Sequence, residues 1–385
     1  MKIKKTIMFF DHHISGHRLE YIHHLYNGSL EDMDNKYIFA LPNDFKAIMH
    51  SLIWPEAANI HFHFFPESDL KTSSIPIHNS YLKSKLIKKI AVENEVNELF
   101  LVSLMEYVPL VVFVLPKAIK ISGIIYLIHL YRWKKSSLRK KVEDTIKYLI
   151  LSKYKQFNNV FLLNDKSASA YLNSRFKTEK FKFLPDPFSP LDKGKINNIR
   201  EELDISTKDT VYVHLGAMTY RKGTLKILKA IEEISQKNLE NKTFIFAGKV
   251  NDDIKTEFYN SLNIQAKRVK IVCFDDFCEY SFLGSLCKSA NYILLPYSNV
   301  EQSSGFIGYA AYYKTPVVVP NKGLLGKLVK RYRLGVLLNE DLIKSMIEFI
   351  RDDKKVKINH QYSNKYLKNN SLSEFKNSIL FHLTN

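Results

Sequence analysis

Short apolar runs bounded by turn-forming residues recur along the chain and predict β-strands. The clearest lie in the second half, at 210–216, 243–248, 269–274, 291–297 and 315–320. Candidates in the first half are 4–10, 36–42, 59–65, 98–104 and 123–130. Most of these runs are continuously apolar rather than alternating, which is typical of strands in a parallel sheet covered on both faces.

Helical patterns separate these strands, the clearest being TLKILKAIEEISQ (224–236), in which four apolar residues share one face. Strands that alternate with helices predict an α/β protein with doubly wound sheets. At 385 residues the chain exceeds what one hydrophobic core usually serves, and three prolines within 183–195 indicate a linker. We therefore expect two Rossmann-like domains, 1–188 and 189–362, facing across a cleft, with a helical segment 363–385 packing back on the first.

Composition narrows the class of protein. Hydrophobic residues make up 45% of the chain, enough for packed cores. Three cysteines, an odd number without zinc-site spacing, fit reduced thiols in a cytoplasmic protein. The first apolar run is too short for a signal peptide, and the most apolar region, 99–116, is interrupted by Glu106 and two prolines. We expect a cytoplasmic protein, free in solution or peripheral on a membrane.

The formal net charge of +18 is concentrated locally in RWKKSSLRKK (Arg132–Lys141), which holds six cations. Such a patch suits the phosphates of a nucleotide, a nucleic acid or anionic lipid, or it is a solvated helix face. Nucleic acid is not an expected partner, because the remaining charge is dispersed and no recognition motif is present. The pairs His12/His13 and His23/His24 suggest metal ligands, but no carboxylate or cysteine arrangement completes a site, so no metal is expected.

Glycines mark the candidate binding edge. Nine of the 13 follow residue 209, most of them just after predicted strands, where ligands bind in open parallel sheets. A helix beginning at Ser303-Ser304-Gly305 would offer N–H groups and its positive dipole end to an anion, or these residues form an ordinary helix cap. Arg221 and Lys222, in the loop after Gly216, suit the phosphates of a nucleotide diphosphate or are simply solvated.

These segments carry a resemblance to a known family. GAMTYRKGTLKILKAI, then FIFAG, then LLPYSNVEQSSGFIGYAAYYKTPVVVPNKGLLGKLV, within 210–338, resemble the donor domain of GT-B glycosyltransferases. The likeness is greatest to the family-4 retaining enzymes. SGHRLEYIHHL, YLIHL and LPDPF in the first half match more loosely. The resemblance implies a GT-B fold, a nucleotide diphosphate sugar as donor, no metal and no other cofactor.

The resemblance also implies roles for the matching residues. Lys222 would neutralise the diphosphate, with Arg221 in place of a family arginine that is Ala217 here. Glu301 would contact the donor sugar, and the position of a second glutamate, which usually holds the ribose, is Tyr309. The other donor-binding residues would be Gly16, Gly216, Ser303, Ser304 and Gly305. His129, at the end of a predicted strand, resembles the histidine that reaches the transferred sugar, or it is structural.

The leading hypothesis is therefore a metal-independent, retaining glycosyltransferase. It would move a hexose-type sugar from a UDP or GDP donor to a glycan or lipid-linked acceptor in surface polysaccharide synthesis. The patch at Arg132–Lys141 would lie near anionic headgroups. Two alternatives keep the same fold: a nucleotide-sugar epimerase, and a catalytically silent scaffold that binds nucleotide sugar, suggested by Tyr309 at the second glutamate position.

Overall fold

The computed structural model describes residues 3–13, 18–50, 52–70, 73–190, 198–299, 301–352 and 355–385. The chain separates into two compact units: Met1–Pro187 together with Leu372–Asn385, and Phe188–Ser371. The boundary near residue 188 lies within the predicted linker 183–195. The predicted closing segment, 363–385, is divided, because 363–371 belong to the second unit and only Leu372–Asn385 to the first.

The first unit is built on a seven-stranded sheet in the order β3-β2-β1-β4-β5-β6-β7. Its strands are β1 Thr6–Phe10, β2 Lys36–Pro42, β3 Ile60–Phe65, β4 Glu98–Leu101, β5 Lys120–Ile125, β6 Phe157–Leu163 and β7 Phe181–Leu184. Its helices include α1 Arg18–Ser29, α2 Phe45–Met49, α3 Pro76–Glu93, α4 Val111–Val114, α5 Leu138–Lys153 and α6 Lys166–Phe176. Short 3-10 helices are Glu67–Asp69, Leu104–Glu106 and His129–Lys135.

The second unit contains a six-stranded sheet in the order β10-β9-β8-β11-β12-β13. The strands are β8 Thr210–Leu215, β9 Lys242–Ala247, β10 Lys270–Phe274, β11 Tyr292–Leu294, β12 Val317–Pro320 and β13 Gly335–Leu338. The helices of this unit are α7 Ile199–Glu202, α8 Thr224–Glu233, α9 Gln236–Leu239, α10 Lys255–Gln265, α11 Tyr280–Ser289, α12 Phe306–Tyr313, α13 Gly323–Tyr332, α14 Leu342–Arg351 and α15 His360–Asn369.

Both sheets have the same kind of topology. Within the described residues every strand pair is parallel, as the sequence predicted. In the first sheet the strand order reverses between β1 and β4, and in the second it reverses between β8 and β11. Helices that follow the two strands at such a switch point cover opposite faces, which leaves a crevice at the carboxyl ends of the strands. Each unit thus has one preferred place for a ligand.

Aromatic side chains fill the sheet interfaces. The ring of Phe9 on β1 lies 5.0 Å from that of Phe39 on β2 and 5.5 Å from that of Phe100 on β4. In the second unit, Tyr212 on β8 stacks 5.0 Å from Phe244 on β9 and 5.6 Å from Tyr292 on β11. Each such buried side chain stabilises its unit by about 1.5–3 kcal/mol, so the central strands carry much of the core.

Two edge strands and the bounds of one inner strand were not predicted correctly. β7 and β13 were not predicted, because each has only four residues and is partly exposed. The strand predicted at 123–130 begins earlier, at Lys120, and ends at Ile125. His129 therefore does not end a strand, as expected, but begins a 3-10 helix. The chain leaves the sheet before that residue although the sequence stays apolar.

The final helix, α16 Leu372–Thr384, belongs to the first unit and packs against α1. Its buried residues Phe375, Ile379 and Leu383 recur at a spacing of four, as in an amphipathic helix. Phe375 lies 4.9 Å from the ring of Tyr21 on α1. No helix in the described part of the chain is both long enough and apolar enough to span a membrane.

Candidate functional site

The loop after β8 opens at Gly216, where the backbone requires glycine. Its φ is +81°, a conformation that strains other residues. A Cβ at this position would lie 2.6 Å from Nζ of Lys222 and 3.3 Å from the ring of Phe306. The absent side chain therefore makes room for the Lys222 ammonium beside the strand end. Gly216 and Lys222, which the sequence placed in one site, lie together at the switch point of the second sheet.

Lys222 is held in a partly desolvated position. Its Nζ lies 5.9 Å from the ring centre of Tyr297 and 6.0 Å from that of Phe306. Burial, with a smaller effect from neighbouring Arg221, lowers the pKa of Lys222 from 10.5 to about 8. At neutral pH the amine is still mostly charged, but it is poorly solvated. An anion bound here would restore the lost solvation, which makes this cation a candidate phosphate ligand.

A buried histidine holds this loop in place. Nδ1 of His214 lies 2.8 Å from the Leu294 carbonyl oxygen, and its Nε2 lies 2.9 Å from Oγ1 of Thr224. The Thr219 amide donates to the same Oγ1 at 3.2 Å, and Oγ1 of Thr219 accepts from the Lys222 amide at 3.2 Å. Burial lowers the pKa of His214 to about 4. The neutral ring therefore donates to the carbonyl and accepts from Thr224.

Sequence reasoning missed His214 and Thr224. His214 stands within an apolar strand, where a histidine reads as one more core residue, and no local signal pairs it with Thr224. The only hint was the threonine directly after Gly223 at the start of α8. Because the network runs from β11 to the Lys222 amide, it fixes the cation relative to the neighbouring strand.

The loop after β11 is joined to the loop after β8. The Ser298 amide donates to the Arg221 carbonyl at 2.8 Å, and Nζ of Lys226 donates to Oγ of Ser298 at 2.7 Å. Glu301 lies further along this loop, half-buried, with its amide donating to Oδ1 of Asn299 at 2.8 Å. The structure therefore places Arg221 and Glu301 on connected loops at one sheet edge.

Helix α12 begins at the same edge. Gly305 is its cap residue, and Ser304 is buried with Oγ 3.2 Å from the Tyr297 hydroxyl, so this serine does not cap the helix. The Ile307 amide donates to the Ser304 carbonyl and the Gly308 amide to the Gly305 carbonyl. Among the described residues, no backbone carbonyl accepts a hydrogen bond from the Gly305 or Phe306 amide. Such N–H groups at the start of a helix, with Ser303 just before them, are an arrangement that can bind an anion.

Tyr309, at the position expected to hold a ribose, is part of the core. Its side chain is only 6% exposed, and its ring packs edge-on against Phe188 at 5.1 Å and parallel to Tyr313 at 6.4 Å. The ring therefore contributes mainly to packing between α12 and Phe188. Any contact of Tyr309 with a ribose would have to be made by its hydroxyl.

In the first unit, His129 belongs to a buried ionic cluster. Its Nδ1 lies 2.8 Å from Oδ1 of Asp144, and Nη2 of Arg132 lies 2.9 Å from the same oxygen. Burial lowers the pKa of His129 to about 4. The charge of Asp144 opposes this shift, and the charge of Arg132 adds to it. The ring is therefore neutral. Proximity to Asp144 favours the proton on Nδ1, which leaves Nε2 as an acceptor for a hydroxyl group.

The same cluster changes the interpretation of the basic patch Arg132–Lys141. Arg132 turns inward to Asp144, whereas Lys134, Lys135, Arg139 and Lys140 are exposed. The patch is divided between the 3-10 helix His129–Lys135 and the start of α5. Gly16, the remaining predicted donor-binding residue, lies outside the described residues.

Two carboxylates that the sequence did not pair with His12 and His13 lie close to them in the structure. Asp11 and Glu106 both approach this pair. Nε2 of His13 lies 2.7 Å from Oε1 of Glu106, and Nε2 of His12 lies 3.2 Å from its Oε2. Burial by itself would raise the pKa of the Glu106 carboxyl group. Hydrogen bonds from His12 and His13 outweigh burial and hold this pKa well below its usual range.

Comparison with known proteins adds evidence about the fold. No protein-family model and no curated protein matches the sequence. Among solved structures, HepE of Anabaena with bound UDP and glucose matches with a TM-score of 0.68 at 14% identity, over 99% of both chains. An α,α-trehalose-phosphate synthase (UDP-forming) of Burkholderia vietnamiensis matches with a TM-score of 0.71 at 7% identity, over 99% of this chain and 100% of that chain. WaaG, a glycosyltransferase involved in lipopolysaccharide biosynthesis, matches with a TM-score of 0.66 at 11% identity, over 99% and 100%.

Identities this low establish the fold and nothing finer. The membership in family 4 that the sequence motifs suggested stays a prediction. The two parallel-sheet α/β units and these structural neighbours together confirm the predicted fold class, and the chain has the GT-B fold of these glycosyltransferases.

Proposed function

We propose that the protein is a glycosyltransferase that uses a nucleotide diphosphate sugar. The donor diphosphate binds at the β8/β11 switch point, between Lys222 and the first amides of α12. One observation carries the proposal. A poorly solvated ammonium lies beside an open helix start, and this pair of features suits a diphosphate better than any neutral ligand. The structural neighbours support it, since HepE was crystallised with UDP-glucose.

The mechanism follows from these positions. As the bond between the sugar and the diphosphate breaks, negative charge develops on the leaving oxygen, and Lys222 together with the start of α12 stabilises it. Arg221 supplies further positive charge, and no metal is required. The acceptor oxygen bonds to the anomeric carbon on the face that the diphosphate leaves, and the leaving phosphate takes its proton, so the sugar is transferred with retention. Glu301 orients the donor sugar, and the sugar contact that the resemblance implies for His129 stays a prediction.

The donor is a UDP- or GDP-hexose, and the acceptor is a growing glycan or lipid-linked saccharide of a surface polysaccharide. The exposed cations of the patch Arg132–Lys141 would hold the protein near anionic headgroups on the cytoplasmic face of a membrane. This location is supported by charge alone. Vesicles with and without anionic lipid test it directly, because only the anionic vesicles should retain the protein at low salt.

The donor site is tested by thermal unfolding of the full chain with UDP, GDP, ADP and CMP, without added metal. A ligand present at 100 times its dissociation constant should stabilise the folded state by about 2.7 kcal/mol. We expect this stabilisation from one diphosphate nucleotide and not from CMP. Absence of any shift, or an equal shift from CMP, would exclude a diphosphate site.

A silent nucleotide-sugar-binding scaffold is the second candidate, favoured by the burial of Tyr309 at the ribose position. Release of the bare nucleotide from the matching nucleotide sugar separates the two functions. Slow hydrolysis of the donor, with water as acceptor, would support an enzyme even before the natural acceptor is known. Binding without any release, with a panel of saccharide acceptors also present, would support the scaffold.

A further inference from the structure

The switch point of the first sheet carries a polar cluster that the proposed donor chemistry does not use. Asp11, His12 and His13 directly follow β1, and Glu106 ends the 3-10 helix that follows β4. Lys83 reaches the cluster from α3. The carboxyl ends of β1 and β4 are where the topology of this sheet predicts a ligand.

The ligand atoms are grouped closely enough for one small ion. One nitrogen each from His12 and His13 and a carboxylate oxygen of Asp11 lie within 4.8 Å of one another. Glu106 brings its two oxygens to 2.7 Å from Nε2 of His13 and 3.2 Å from Nε2 of His12. Ligands of a tetrahedral zinc ion are about 3.3 Å apart, given bonds of about 2.0–2.1 Å. Small side-chain shifts therefore suffice.

His12 also has the supporting contact that metal-bound histidines usually have. Its Nδ1 lies 2.6 Å from the hydroxyl of Tyr107, and the Tyr107 side chain is fully buried. This contact fixes the orientation of the imidazole and directs Nε2 into the cluster. A hydrogen-bonded partner on the second ring nitrogen is the usual way in which proteins orient such a ligand.

The cluster already holds one cation of the chain itself. Nζ of Lys83 lies 2.6 Å from Nε2 of His12 and 3.3 Å from Oε2 of Glu106. An ammonium group at this point occupies the place of a metal ion, since it lies against an imidazole nitrogen and a carboxylate oxygen. The position is therefore selective for positive charge, and a bound metal would have to displace Lys83.

We propose that Asp11, His12, His13 and Glu106 form a binding site for a divalent transition metal of the zinc type, which exchanges with the Lys83 ammonium. Two imidazoles favour zinc over magnesium, which prefers oxygen ligands alone. A metal ion here would link the ends of β1 and β4. The site lies within the first unit and needs no nucleotide, so this proposal and the proposed donor site can fail independently.

The test is calorimetric titration of the untagged full chain, freed of metal, with Zn²⁺ and separately with Mg²⁺. We expect one zinc ion per chain and no magnesium binding. Glu106→Gln, which keeps the shape of the side chain but removes its charge, should weaken zinc binding by at least about tenfold. Lys83→Met should strengthen it by about tenfold, because it removes a competing positive charge.

The matched control is the double variant His61→Ala/His63→Ala on β3. It removes a histidine pair of the same unit that lies outside the cluster, and it should leave zinc binding unchanged. Loss of binding in this control would overturn the proposal, as would unchanged affinity in Glu106→Gln. So would equal affinity for Mg²⁺. Zinc binding by Lys83→Met but not by the wild type would show that Lys83 holds the site permanently, which is also a refutation.

X-ray absorption of the zinc-loaded wild-type protein covers the case in which Glu106→Gln does not fold. We expect two imidazoles and at least one carboxylate oxygen around the metal. A sulfur ligand, or fewer than two imidazoles, would place the zinc elsewhere and overturn the assignment.

Discussion

Replacing Lys222 with methionine should stabilise the free protein while weakening its binding of nucleotide diphosphate. Burial lowers the pKa of this lysine from 10.5 to about 8. Since one pKa unit corresponds to about 1.4 kcal/mol, keeping the amine charged in this position costs the folded state about 3 kcal/mol. Methionine has a similar length and no charge, so most of this cost should disappear at neutral pH.

The effect on stability should depend on pH in a definite direction. Below pH 8 the amine is charged in both the folded and unfolded states, and the full difference between the variant and the wild type is present. Between pH 8 and 10.5 the folded wild type binds fewer protons than the unfolded chain, so its stability rises with pH. The advantage of Lys222→Met should therefore shrink over this interval and vanish above it.

Denaturant unfolding at pH 7 and pH 10 measures this difference, and nucleotide titration measures the loss of binding. Removing a partner from a desolvated charge pair costs at least about 2 kcal/mol, or about 30-fold in affinity. Lys229→Met, an exposed change of the same charge on α8, is the control and should alter neither quantity. A Lys222→Met variant that is less stable at pH 7, or that binds nucleotide as tightly as the wild type, would refute the reasoning.

Three further predictions concern other groups in the two units. Gly216→Ala would strain the backbone at its positive φ and displace Nζ of Lys222. It should therefore lower the free energy of unfolding by about 1 kcal/mol and weaken nucleotide binding. Unchanged binding in a nucleotide titration would contradict this expectation. Glu301→Gln should reduce the extra stabilisation by a nucleotide sugar over its bare nucleotide in thermal unfolding, and equal loss of both would count against a sugar contact. Asp144→Asn leaves Arg132 without its carboxylate partner. The free energy of unfolding, measured with denaturant, should fall by about 3 kcal/mol. A fall of less than about 1 kcal/mol would contradict this and show a pair that behaves as if exposed to solvent.

The general architecture could be predicted from the sequence because its signals are local. Apolar runs of four to seven residues indicate strands that are buried on both faces of a sheet. Glycines that follow these runs indicate turns at the binding edge. The runs at 210–216 and 243–248 correspond to the central strands β8 and β9. Gly216 and Lys222 were likewise found as neighbours along the chain, separated by one short loop.

What the sequence could not predict depends on contacts between distant residues. His13 and Glu106 are 93 positions apart, and His214 and Leu294 are 80 apart. No local pattern pairs such residues; only the order of strands in each sheet does. The edge strands β7 and β13 were missed for the same reason, since pairing with a neighbour stabilises them more than their own composition does. Local hydrophobicity thus determined which segments form the sheets, and strand order decided which polar side chains meet at their carboxyl ends.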